Sequence, residues 1–257
     1  GLVRIVRGPL QGAGEWTHPQ ADAGRPSASN DRLVRLPLKM LWFGRPGPAL
    51  MVDRHWGMPT PLFAAGRMFT TGEHHVIGMD AYNGREIWRR SFPHLEHYAQ
   101  RNLAGTIVTD GSHLYVPRGM QCLQLEAETG KTVQTYAMPA KASKISIEEN
   151  VFDEKKWSRP LKNELRWIYA AATEKLLIGA AGWHNFVWRW WTESYPEGRL
   201  LFALDKGSGK IVWKYRPQYS VSPNGTAVRG KRLVIIDGPS PAQIRHAKQS
   251  GKKINSR

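Results

Sequence analysis

Short apolar runs with alternating positions follow one another along the chain, and each closes on a polar cluster containing a glycine. Three stretches carry nearly the same pattern: VIGMDAYNGREIWRRSFP, CLQLEAETGKTVQTYAMP and LFALDKGSGKIVWKYRP. Anchored on Gly84, Gly130 and Gly209, they align position by position. The apolar Met79, Leu125 and Leu204 are followed by the acids Asp80, Glu126 and Asp205. A polar residue (Asn83, Thr129 or Ser208) precedes each glycine, and a basic residue (Arg85, Lys131 or Lys210) follows it. Period-two alternation into an acid, a glycine able to take positive φ, and a return run rich in β-branched and aromatic residues predict a β-hairpin.

Each copy is preceded by a second apolar run: GRMFTTG, SHLYVPRG and EKLLIGAAG. Phe69 to Gly84 and Tyr115 to Gly130 both span 15 residues, whereas Leu177 to Gly209 spans 32, so the third copy carries an insertion. Earlier still lie PTPLFAA, AGTIVTD, RWIYAAA and NGTAVRG, which supply an innermost strand. Four short strands per repeat of about 40–50 residues are the signature of a β-propeller blade.

The fold expected is therefore all-β: an incomplete propeller of four-stranded antiparallel blades, about four of a seven- or eight-bladed ring. The blades are placed near 59–93, 102–139, 166–217 and 224–257. The last is cut short, a leader occupies 1–37, and an insertion occupies 140–165. LKMLWFGRP aligns Trp42 with Trp213 and reads as a further outer strand over 38–46. The chain opens without an initiator methionine and ends within a repeat, which points to a piece of something longer.

MDAYNGREIW, LEAETGKTVQ and LDKGSGKIVW resemble the pyrroloquinoline quinone (PQQ) repeat of quinoprotein-like propellers. The resemblance covers roughly 38–238 and implies that Trp42, Trp88 and Trp213 dock against neighbouring blades. Gln134 departs from the pattern, so that junction is expected to be held differently. The resemblance implies two kinds of protein. One is a non-catalytic binding scaffold, like the propeller lipoprotein of the outer-membrane β-barrel assembly machine. The other is a dehydrogenase that binds PQQ and calcium on the axis. Either implies a periplasmic or cell-envelope location. The dehydrogenase type commonly uses a vicinal cysteine pair, which this chain, with Cys122 alone, does not have. Cys122 falls in the third strand of its repeat and reads as a small core residue.

A net charge of +16 permits contact with polyanions. The positive residues are dispersed, and only the tail from Arg245 to Arg257 is dense, which describes a solvated basic surface better than a nucleic-acid groove. No segment approaches the length of a membrane span.

Candidate chemistry is sparse. His74 and His75 are adjacent on a strand and point to opposite faces, and His94 and His97 would need a helical turn and a third ligand, so no metal site is assigned. NGREI and SGKIV lead from turn to strand, not from strand to helix, which excludes a phosphate-binding loop. Residues 146–157 could form a short amphipathic helix ended by Pro160. The insertion AGWHNFVWRWWTESYPEG gathers Trp183, His184, Trp188, Arg189, Trp190 and Trp191. It is either an aromatic lip for a protein or small-molecule ligand or a longer hairpin whose indoles cover a neighbouring blade. The reading adopted is a non-catalytic binding scaffold, with the dehydrogenase and the polyanion binder as alternatives.

Overall fold

A computed structural model describes residues 10–44, 50, 60–72, 74–92, 107–139, 165–184, 196–239, 244 and 247–251. They form an incomplete β-propeller. The first blade consists of β1 (Leu62–Ala64), β2 (Arg67–Gly72), β3 (His75–Asp80) and β4 (Glu86–Ser91), hydrogen-bonded in that order. The second repeats it with β5 (Val108–Thr109), β6 (His113–Arg118), β7 (Gln121–Glu126) and β8 (Thr132–Ala137). The third contains β9 (Arg166–Ala172), β10 (Leu176–His184), β11 (Pro196–Asp205) and β12 (Ile211–Tyr215).

Register is the same from blade to blade. Leu62 faces Phe69, Val108 faces Tyr115 and Ala171 faces Ile178, so the third blade's counterpart of Phe69 and Tyr115 is Ile178, one residue past the Leu177 of the sequence alignment. The outer pair of every blade slips by one residue at one place: after Gly78, after Gln124 and after Ala203. That bulge is built by the turn. Gly84, Gly130 and Gly209 sit at φ 71, 69 and 68°, and each donates its N–H to the carbonyl of the acid four residues earlier, at 2.8–2.9 Å. The acid side chains satisfy the turn amides: Asp80 Oδ1 accepts from Tyr82 and Asn83, and Asp205 Oδ1 accepts from Ser208.

The core lies between blades. One apolar cluster joins the first and second blades through Phe69, Trp88, Leu114 and Leu125; another joins the second and third through Tyr115, Cys122, Tyr136, Trp167 and Phe202. A third gathers Ile178, Leu201, Val221 and Val228 on the other side of the third blade.

Two features differ from the sequence reading. The fourth unit is a hairpin of β13 (Ser220–Arg229) and β14 (Arg232–Gly238), and it joins the third sheet through the pair Gly198–Val221, giving six strands hydrogen-bonded together. Gly198 permits this: a Cβ there would lie 2.7 Å from the Val221 carbonyl oxygen. Over 38–44 no strand forms, because no described strand lies beside it to complete a ladder. Trp42 nevertheless docks on the first blade.

Candidate functional site

Two parts of the molecule bring chemistry-bearing side chains together: the blade junctions and the axial face.

At the junctions one backbone position recurs. Ala81, Ala127 and Lys206 each follow a turn acid, and each donates its N–H within its own blade, to Gly66, Ser112 and Lys175. Their carbonyls face the preceding outer segment. Trp42 Nε1 donates to Ala81 O at 2.9 Å, and Trp88 Nε1 donates to Ala127 O at 3.0 Å. Each indole lies over the turn glycine of the receiving blade, where a Cβ would come within 2.3 Å of Trp42 at Gly84 and 2.7 Å of Trp88 at Gly130. At the third junction the equivalent of the tryptophan is Gln134, and the hydroxyl of Tyr136 takes over, 2.7 Å from Lys206 O and 2.6 Å from Gln124 Oε1. The hydroxyl carries one hydrogen, so a Gln124 amide turned to donate lets the hydroxyl donate to Lys206. Trp213 is half-buried and packs on the third cluster.

Beside this junction Lys206 Nζ reaches across to Asp110 Oδ2 at 2.6 Å and to Thr173 O at 2.8 Å, above the Tyr115 ring. Tyr115 also donates to Asp110 Oδ2. Burial pushes the Asp110 carboxyl up, but hydrogen bonds from Lys206, Tyr115 and the His113 amide outweigh it and hold it below the usual carboxylate range. These contacts form a lock between the second and third blades.

The axial face holds a segment whose course the sequence pattern did not reveal. Residues 15–25 run past the innermost strands of all four units. Trp16 and Phe63 exchange backbone hydrogen bonds, Thr109 N donates to Thr17 O at 2.9 Å, and Val228 N donates to Ala23 O at 2.7 Å. Ala172 N donates instead to a side chain, His18 Nε2, at 3.1 Å. Arg25 ties the far end to Pro223 O and Asn224 Oδ1. Next to this strap is an open cleft of about 330 Å³ lined by Glu15, Asp22, Asn30 and Arg229 among others.

PQQ and calcium need a defined donor set on the axis. Among the described residues no three His, Cys, Asp or Glu side chains converge as a metal site requires. Cys122 is fully buried between blades and its thiol is pushed up by burial. His74 lies in a turn at φ 55° and His75 begins β3. His94 and His97 lie outside the described residues.

The sheets have two different ends. At one, tight turns carry exposed Arg85, Lys131 and Lys210, each next to a turn acid, so the charge is interleaved. From the other end the chain leaves the described strands for 93–106, 140–164 and 185–195. There β10 and β11 run on past the blade as a pair, Trp183 opposite Glu197 and His184 opposite Pro196. Trp188, Arg189, Trp190 and Trp191 lie outside the described residues, as does the 146–157 segment. Among the described residues no helix is long and apolar enough to cross a membrane.

No family model matches the chain, and no curated protein matches it. Among solved structures it is similar to the quinohemoprotein alcohol dehydrogenase ADHIIG of Pseudomonas putida HK5 over 79% of this chain and 27% of that one, at 16% identity and a TM-score of 0.49. The quinohemoprotein alcohol dehydrogenase of Comamonas testosteroni matches over the same shares at 16% identity and 0.48. BamB of Moraxella catarrhalis matches over 88% of this chain and 68% of its own, at 12% identity and 0.40. The chain thus spans about a quarter of the length of the two dehydrogenases.

Proposed function

We propose that the chain is a non-catalytic, PQQ-repeat-like propeller that serves as a binding scaffold, with its partner surface at the end where β10 stops and β11 starts and the tryptophan-rich sequence between those strands as the main contact. The observation that carries this reading is the inequality of the two ends. One closes in tight turns; from the other the described strands lead into 93–106, 140–164 and 185–195, and the central pair of the third blade extends toward it, with strands of 9 and 10 residues where its counterparts have 6. Large aromatic surface on a rigid scaffold suits a protein or small-molecule ligand. The dehydrogenase reading receives no support from the described donor set. Placement in the bacterial cell envelope is part of the proposal and rests on the repeat resemblance.

The test is site-specific photo-crosslinking of the full chain in its own host. A crosslinker at position 189 should yield a discrete adduct that the Trp190→Ala, Trp191→Ala double variant loses while keeping its circular dichroism, and a crosslinker at position 85 should yield none. Equal crosslinking from both ends, or dye-linked alcohol oxidation after loading with PQQ and Ca²⁺, would overturn the scaffold reading.

A further inference from the structure

We infer that the axial strap is a proton-sensitive latch: residues 15–25 stay across the four innermost strands while His18 is neutral, and peel away from the axis, with the blades intact, when the ring is protonated.

The geometry allows one protonation state in the closed form. Ala172 N–H points at Nε2, so Nε2 must accept. The proton is then on Nδ1, 2.8 Å from Thr17 Oγ1, which in turn donates to Ala21 O. A second proton on Nε2 sets two donors against each other and leaves the Ala172 amide without an acceptor in a place where 5% of His18 is exposed. The charged and titratable groups around it are Asp22 and Arg25 on the strap, Asp110 beside β5, and Tyr169 of β9, which lines the same small cavity as His18 and Arg25. Burial is the dominant influence and holds the imidazole down at about 4; Asp22 opposes it, Arg25 adds to it, and Asp110 opposes it.

The strap is the element suited to open alone. The blades are zipped by ladders, whereas among the described residues backbone-to-backbone bonds tie the strap to the innermost strands only at Phe63, Thr109 and Val228. Ala21 and Arg25 of the strap lie at positive φ, 79 and 60°, conformations that non-glycine residues hold only when tied down. Losing the His18 anchor releases a segment already under strain, which is the profile of a local opening unit.

The sign follows from linkage. The closed form binds the proton at about 4 and the open form near the ordinary 6.5, so the open population grows as pH falls between them. The open-to-closed ratio should rise roughly 30-fold between pH 7.5 and pH 5.

Hydrogen exchange on the full chain tests this, with protection factors corrected for intrinsic pH dependence. The amides of Phe63, Thr109, Ala172 and Val228 should lose protection by about that factor, while those of Leu114 and Leu125, in the second blade's ladder, hold theirs. His18→Gln, whose Oε1 can accept from Ala172 without titrating, should abolish the change. His18→Ala should leave the four amides weakly protected at every pH. Simultaneous loss at the strap and in the blade, an unchanged response in His18→Gln, or no loss down to pH 4.5 would each overturn the latch.

Discussion

Gly130→Ala isolates what the blade junction contributes. Two costs are expected, and the structure separates them. The first is backbone strain. At φ 69° an added Cβ meets its own carbonyl, which costs about 1–2 kcal/mol. Gly230 offers a control, because it has φ 58° and nothing within 4 Å of where its Cβ would be. The second is steric. The Cβ added at Gly130 would lie 2.7 Å from two ring atoms of Trp88, a side chain only 8% exposed, wedged against Phe69 and pinned by its hydrogen bond to Ala127. The indole cannot move aside without losing that bond, so an overpacking cost of about 1–3 kcal/mol is added. Gly209→Ala falls between these cases: its φ is 68°, but its Cβ would meet the end of the Gln134 side chain at 3.1 Å, which can yield. Urea unfolding should therefore rank Gly130→Ala as worst, by about 1–3 kcal/mol over Gly230→Ala, with Gly209→Ala close to the control. In a Trp88→Leu background the excess should vanish. Equal costs for Gly130→Ala and Gly230→Ala, within about 0.5 kcal/mol, would refute the idea that indole-on-glycine contact holds the blades together.

Other expectations follow from the same contacts. Tyr136→Phe leaves the Lys206 carbonyl and the Gln124 amide without the hydroxyl and should cost about 1–2 kcal/mol in the same unfolding assay, with no change in fold by circular dichroism. Lys206→Met should cost about 1–3 kcal/mol at pH 7 by removing the cation paired with Asp110, and the gap from the parent should narrow as pH falls, because the pair's contribution is lost on protonation, while in the variant burial is opposed only by the hydrogen bonds from Tyr115 and the His113 amide. Cys122, buried with its thiol pushed up, should react with a thiol reagent only at the rate of unfolding; rapid native-state labelling would contradict its place between the blades.

The repeating part of the fold was legible because each turn is a local chemical device. An acid, a polar residue, a glycine and a base at fixed offsets specify the hairpin without reference to distant residues. The tryptophan junctions came from the repeat resemblance, and in the structure both indoles reach a carbonyl 39 residues on, Trp42 to Ala81 and Trp88 to Ala127. Where that regularity breaks, legibility ends. Nothing in QTY marks Tyr136 as the group that replaces an indole at Gln134, because the replacement is made two residues away by a hydroxyl that reaches Lys206 across the junction. The strap was invisible for a related reason. GEWTHPQADAG makes two backbone bonds to the first blade, one each to the second and to the β13–β14 unit and none to the third, so it has neither helix nor strand periodicity, and its key contact is a histidine acting as acceptor. The attachment of β13 to β11 depends on Gly198, a glycine that sits outside the repeated turn.

The glycine at 209 has a consequence for how such a chain can change. The surface that receives a neighbour is kept even where the neighbour sends no indole: Gly209 leaves room above its Cα, although Gln134 and Tyr136 arrive there in place of a tryptophan. The accepting side of a unit is thus generic, and the projecting side is free to drift. Duplication or recombination of whole units would find a compatible socket at each of these turns, so units can be reordered without inventing a new contact.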